Sequence, residues 1–365
     1  MRFTADRKAL AHALTGAARI AGDGRTIFAL SHILLRAEGD ALEVQSTNAE
    51  LSLRLSVPAS VYTPGQVIVP KGIAAVIKAM AGETVRVEAH GSDLGQVTFS
   101  GGAMTTTVAA LASSAFPVIP ESVSGPMPFD GLAMAAAYRA LPMASRDASR
   151  PVLTGVYVER KAGDVAVIAT DSYRMTMWTA PDVNGCADEH VEAIVPARLF
   201  AEAGRLLPKG ERGCLLVDRS QATIYVDRGT ITARLIDGQF PEYRDLVPEP
   251  DAWAEVDRAE LLAVLNRVGL VAGAGGPVRL EFAPDRGELD VGATGQLGTG
   301  GESLDCRYNG EPMTFGFNPA FLIDGLRALE GDTVRIGLLT PLRPVLLAGD
   351  DPATSVLVMP MRVAD

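Results

Sequence analysis

The sequence predicts an α+β chain made of three copies of one helix–strands–helix–strands unit. Three observations predict it. A helix-like segment recurs at a near-constant offset, a second helix with a proline start recurs in each copy, and glycine turns leading into strand-like runs fill the spaces between them. A length of 365 residues accommodates two or three domains, and 47% apolar residues suffice for a sizeable core.

The first helix of each copy opens as FTADRKALAHALTGAARIAG from Phe3, FDGLAMAAAYRALPMAS from Phe129 and VDRAELLAVLNRVGLVAG from Val256, at offsets of 126 and 127 residues. Each has an aromatic or β-branched residue, a polar start, and then apolar residues at helical spacing. In the third, Leu261, Leu262, Leu265 and Val268 form one stripe. Asp257 followed by Glu260 has the form of a capping box, with Asp in the Ser/Thr role.

The second helix begins in VIVPKGIAAVIKAM from Val67, AIVPARLFAEAGRLL from Ala193 and FGFNPAFLIDGLRAL from Phe315. Asn318-Pro319 reads as an N-cap followed by a first-turn proline. Strand-like runs follow the glycines at Gly82, Gly210 and Gly331, and a further strand pattern starts at Gly39, Gly163 and Gly287. AFPVIP (115–120) and QFPEYRDLVP (239–248) close the first two copies, with linkers expected at 121–127 and 248–252. The expected domains are 1–121, 122–248 and 249–365. Units of about 120 residues are too large for a solenoid, whose repeats run about 20–50.

Thirty-three Lys+Arg against 44 Asp+Glu give a net charge of −11. A nucleic-acid binder needs clustered cations, so the distribution matters more than the total. The three expected domains carry net 0, −2 and −9, so the acid is concentrated in the third. Cys186, Cys214 and Cys306 are widely spaced, with no CxxC, which argues against a disulfide framework or a zinc site and for a reducing, cytoplasmic setting. The N-terminus reads as an amphipathic helix rather than a signal peptide, and no apolar run reaches the length of a membrane span.

Four runs carry a family resemblance: RPVLTGV (150–156), TDSYRM (170–175), FPEYRDLVP (240–248) and the C-terminal VLVMPMRV (356–363). Together with the three-fold repeat they resemble the bacterial DNA polymerase III β subunits, the sliding clamps, over the whole chain and in the same order. The resemblance implies that two chains join head to tail into a six-domain ring. Helices line its hole, and duplex DNA is held by enclosure without sequence readout. It also implies a nucleoid-associated homodimer and a processivity factor that tethers the replicative polymerase and other replication and repair proteins. A clamp loader opens the ring, and no cofactor or metal is expected. The alternatives are a clamp-like protein-binding scaffold or an accessory, inhibitor-evading clamp copy.

Carried over position by position, the resemblance implies a pocket for short apolar peptides. It is formed by Leu153, Thr170, Tyr173, Arg174, Met175, Pro241 and Leu246 together with Asn318, Phe321, Leu342, Leu357, Met359, Pro360, Met361 and Arg362. Met and Leu make a deformable apolar slot, and Arg174 and Arg362 are expected to offer donors to a bound peptide. The family's best-known member has Gly-His where this chain has Ser172-Tyr173, and a basic residue where it has Asp245, so Tyr173 is expected to narrow the rim.

The DNA-facing set implied in the same way is Arg25, Lys71, Lys78, Arg146, Arg150, Arg198, Arg205 and Lys209. Arg198 and Arg205, seven apart, share a helix face, and Lys71 and Lys78 repeat the spacing. Pro151-Val152 stands where some members have an aromatic pair. The implied ring edges are about 100–108 on one side and parts of 265–275 and 292–305 on the other. SGGAMTTTV has no charge and ATGQLGTGGES only Glu302, so backbone pairing and small apolar contacts are expected to close the ring. The motifs GxSxG, GxxxxGK[ST], HExxH and CxxC are missing from the sequence, and no catalytic residue is expected.

Overall fold

A computed structural model describes residues 1–25, 27–90, 95–119, 128–183 and 190–362; the expected linker at 121–127 and Cys186 lie outside them. The described residues form helices α1 (Arg7–Ile20), α2 (Ile73–Ala79), α3 (Gly131–Ala140), α4 (Ala197–Leu206), α5 (Arg258–Ala272) and α6 (Pro319–Ala328). No helix is long and apolar enough to cross a membrane.

Capping side chains set where the helices start. Asp6 accepts from the Ala9 N–H at 2.8 Å, Asp130 from Leu132 and Ala133 at 2.9 and 2.8 Å, and Asp257 from Glu260 at 2.7 Å. Asn318 accepts from Ala320 at 3.0 Å, with Pro319 in the first turn of α6. The Asp caps lie 124 and 127 residues apart, which corrects the 126 expected between the first two copies. Phe3 and Ala5 are both buried on one face of the strand Arg2–Asp6. A slip of two residues preserves the face, so the apolar pattern alone cannot fix the register.

A second device recurs. Arg7 Nε donates to Gly82 O at 2.7 Å, and Arg258 Nε donates to Gly331 O at 2.6 Å. The middle copy has Gly131 at the helix start, and there Arg212, just past the Gly210 turn, donates to Gly131 O at 3.3 Å. Gly82, Gly210 and Gly331 take φ of 91°, 91° and 97°, a conformation that selects glycine.

Two compact units result. The first comprises Met1–Met134 and Arg198–Leu235, the second Ala135–Ala197 and Ile236–Asp365. The first holds an 11-stranded sheet and the second a 12-stranded sheet, antiparallel throughout among the described residues. In the first unit the long strand Leu51–Thr63 buries Leu51, Leu53, Leu55 and Val57 with strand periodicity. It pairs at one end with Gly229–Arg234 and at the other with Arg2–Asp6. In the second unit Arg174–Pro181 pairs with Thr354–Val358. The expected middle domain thus gives one sheet to each unit, because its strands extend the sheets of both neighbouring copies.

Candidate functional site

The second unit contains a cleft that begins at the tight turn between strands Asp164–Thr170 and Arg174–Pro181. Thr170 Oγ1 donates to Arg174 O at 2.8 Å and accepts the Ser172 N–H at 3.1 Å. Asp171 Oδ1 accepts the N–H groups of Tyr173 and Arg174 at 2.9 and 3.0 Å. The turn holds Ser172 in the left-handed region at φ +78°. Tyr173 is exposed and stacks on Phe321 of α6 at 6.0 Å between ring centroids.

Arg174 corrects one expectation. Its Nε donates to Asp171 at 3.0 Å, Nη1 to Asp324 at 2.6 Å and Nη2 to Pro142 O at 2.7 Å, and its guanidinium lies 4.6 Å over the Phe321 ring. The side chain is only 11% exposed. Every nitrogen is engaged within the chain, so Arg174 is a strut fixing the turn against α6 rather than a free donor at the cleft.

The second wall is the 239–248 segment. Phe240 and Tyr243 are buried in a cluster with Tyr157, Ile168, Met175 and Leu357. Phe240 stacks on Tyr157 at 4.8 Å, and the Tyr243 hydroxyl donates to buried Glu159 at 3.2 Å. Arg244 Nη2 donates to the same carboxylate at 2.5 Å, a hydrogen bond that raises the Arg244 pKa. Burial, and then the Glu159 charge, push the Tyr243 phenol up to about 12. With these anchors in place, the single 3-10 turn Arg244–Leu246 displays Leu246, 52% exposed, and the cleft wall runs on through Val247 and Pro248, the first residue of the expected 248–252 linker.

The remaining wall comes from the C-terminal strands. Leu357 lies opposite Met175 across the strand pair, and the Met359 N–H donates to Tyr173 O at 2.8 Å. Leu342, in the loop after strand Thr333–Leu338, is 73% exposed. The cavity is about 550 Å³, with buried Met175 and Leu357 beneath exposed Leu246 and Leu342.

Thr170, Tyr173, Arg174, Met175, Leu246, Leu342, Leu357 and Met359 line this cavity. The other seven expected residues do not. Leu153 is buried, and its carbonyl accepts from Ser145 N–H at 2.8 Å. Pro241 is exposed beside Phe240, Asn318 caps α6, and Phe321 backs Tyr173. Pro360, Met361 and Arg362 continue past the last strand, where the Met361 N–H donates to Gly316 O at 2.7 Å. Ser172, Asp245, Val247, Pro248, Leu339, Arg343 and Pro344 line the cleft although the expected set omitted them. The DLVP and LRP runs flanking Leu246 and Leu342 were the available signal. Asp245 and Arg343 make no ion pair among the described residues, so they are the uncompensated charges of the cleft.

Six of the expected DNA-facing residues lie in the first unit and two, Arg146 and Arg150, in the second. Arg25, Lys78, Arg146, Arg150, Arg198, Arg205 and Lys209 are exposed. Arg25 pairs with Asp23 at 3.3 Å, Arg205 with Glu202 at 2.8 Å, and Arg198 donates to Arg19 O at 2.9 Å. Arg150 pairs with Asp147 at 3.3 Å and donates to Ser172 Oγ at 3.0 Å. Lys71 is a correction. It precedes α2, and its ammonium donates to Gly22 O at 2.7 Å and Ala21 O at 3.4 Å, capping the end of α1 rather than sharing a helix stripe with Lys78.

Of the expected ring edges, 100–108 and 292–305 fall mostly in strands, whereas 265–275 is the end of α5 and the turn after it. Met104–Ala109 is the last strand of its sheet path. The glycine-rich run forms a hairpin of Glu288–Gly295 with Gly298–Tyr308. A Cβ on Gly295 would sit 2.1 Å from Val271 O of α5, so the glycine is required by close helix packing. Glu302 is held by Arg267 of α5 through two hydrogen bonds of 2.7 and 2.6 Å. No group of three or more potential metal-ligating side chains occurs among the described residues.

Comparisons agree with this architecture over nearly the full length. The profile of the DNA polymerase III beta subunit N-terminal domain matches residues 1–120, that of its central domain 134–242, and that of its C-terminal domain 244–362. The beta sliding clamp of Streptomyces coelicolor is 29% identical over 390 aligned residues, covering 100% of both chains. That of Micrococcus luteus is 30% identical, covering 84% of this chain and 99% of its own. The crystal structure of the C. crescentus beta sliding clamp superposes with a TM-score of 0.91 at 25% identity, covering 100% of this chain and 99% of that one.

Proposed function

The chain belongs to the DNA polymerase III beta subunit family, the bacterial sliding clamps, and from that premise we propose that two copies close head to tail into a six-domain ring around duplex DNA. As a member of that family it is a sliding clamp, a non-catalytic processivity factor. The domain limits are 1–121, 122–248 and 249–365. The ring acts in the cytoplasm at the nucleoid, loaded by a separate ATP-driven clamp loader.

The cleft of the second unit is the docking site for the polymerase and for repair proteins. The observation that carries this reading is the pair of exposed leucines, Leu246 and Leu342, standing over the buried Met175–Leu357 floor. An extended peptide with apolar side chains covers both and fills the floor. Met175 and Met359 let the slot adapt to several sequences. DNA is held by topology, aided by exposed Arg25, Lys78, Arg146, Arg150, Arg198, Arg205 and Lys209, while the acidic third domain avoids it.

The ring edges are the strand Met104–Ala109 and residues 298–305 of the strand Gly298–Tyr308, whose last three residues are already paired with Ala252–Asp257. The first is uncharged, and on the second Glu302 is neutralised by Arg267, which leaves Asp305 as its one charge without an ion pair among the described residues, so closure relies chiefly on backbone pairing. Sedimentation tests this: a dimer whose dissociation constant changes little between low and high salt is expected. A monomer, or steep weakening with salt, contradicts it.

A further inference from the structure

We propose that the first compact unit carries a second peptide cleft, the repeat-related counterpart of the first, and that it takes a segment anchored by a tyrosine side chain. The proposal rests on reading the first cleft as a peptide site.

The two clefts share one frame. Thr47 Oγ1 donates to Leu51 O at 2.8 Å and accepts the Ala49 N–H at 3.1 Å, the same bonds at the same lengths as Thr170 makes to Arg174 and Ser172. Asn48 Oδ1 accepts from Glu50 and Leu51 as Asp171 does from Tyr173 and Arg174. Ala49 has φ of 76° and Ser172 of 78°. The strand after each turn pairs with a strand from the next copy: Ser52 lies opposite Thr232 as Met175 lies opposite Leu357. Phe116-Pro117 repeats the Phe240-Pro241 pair, with both phenylalanines buried, and Pro117 lines the cleft of the first unit. The volumes are about 490 and 550 Å³.

What differs is the floor. Ser52 and Thr232 replace Met175 and Leu357, and their hydroxyls are joined to Thr47 and Thr223, each at 2.9 Å. One part of the lining stays apolar, with Ile27, Ala49, Pro117 and Val118, beside the polar Glu50, Ser220, Gln221 and Arg234. An apolar lining over a hydroxyl floor suits a ring with a polar tip. A tyrosine packs its ring on the apolar part and exchanges hydrogen bonds with the floor, whereas Phe or Leu strips water from the hydroxyls without replacing it. Glu50 and Arg234 balance each other among the lining charges, so the cleft does not favour phosphate over peptide.

Val118 is 94% exposed, so Val118→Asp changes the rim without touching the core. A fluorescent peptide with a central Val-Tyr, its Val-Phe twin and a Leu/Phe-rich peptide are titrated by anisotropy against the full-length protein, Val118→Asp, and the Leu246→Ala/Leu342→Ala double variant. The Tyr peptide is expected to lose about tenfold affinity in Val118→Asp, to be unchanged in the double variant, and to bind about fivefold tighter than its Phe twin. Tyr-peptide binding indifferent to Val118→Asp, equal binding of the twins, or displacement by duplex DNA overturns the proposal. A Leu/Phe-rich peptide indifferent to the double variant refutes the first-cleft reading separately.

Discussion

Truncating Leu246 and Leu342 together asks how much of the docking energy the first cleft takes from its exposed rim. The two side chains are 52% and 73% exposed, so their removal leaves the core packing intact. A peptide covering them hides about 150 Å² of apolar surface, worth about 4 kcal/mol at ~25 cal/mol per Å². Alanine retains a fraction of that contact and a flexible peptide covers the rest incompletely, so a loss of about 1.5–2.5 kcal/mol is expected, or about 10- to 70-fold in Kd. Calorimetric titration of a Leu/Phe-rich peptide into wild type and the double variant gives the ratio directly, with sedimentation and urea unfolding as controls. Affinity within twofold of wild type would refute the reasoning, since the walls would then contribute nothing to docking.

Three further outcomes follow from the same geometry. Arg174→Met removes three hydrogen bonds and leaves the partly buried Asp171 and Asp324 without their cation, so urea unfolding should show a loss of about 2–4 kcal/mol, with weaker peptide binding because the Tyr173 turn is released. Gly295→Ala drives a methyl group against Val271 O and should cost about 1–3 kcal/mol in the same assay. Tyr243 has its folded pKa raised from 10.0 to about 12, so its contribution is fully present below pH 10 and is lost as pH rises from 10 towards 12. Wild type should therefore lose about 2 kcal/mol more stability than Tyr243→Phe between pH 9 and pH 11.5.

Much of this architecture can be read from the chain. The Asp and Asn caps, the proline helix starts and the glycine turns are local signals, and they fall where the helices and strands begin. The assignments that needed correction depend on contacts distant in sequence. Nothing local reports that Arg174 is consumed by Asp324, 150 residues away, or that Lys71 reaches back to cap α1. Most of the lining residues that were missed, Asp245, Val247 and Pro248 and those around Arg343, sit in irregular segments whose direction is set by anchors elsewhere, Phe240 and Tyr243 in one case. The glycines of 292–301 look like loop residues in sequence, but they pair in a hairpin, and Gly295 and Gly300 let it lie close against Val271 of α5.

The central claim is enclosure of DNA, and retention on circular DNA tests it most directly. Protein loaded onto a closed circle should survive a high-salt wash that screens the exposed arginines and lysines, and should be released when the circle is cut once. Equal loss from intact and cut circles would contradict the account and leave a clamp-shaped scaffold that binds peptides without surrounding DNA.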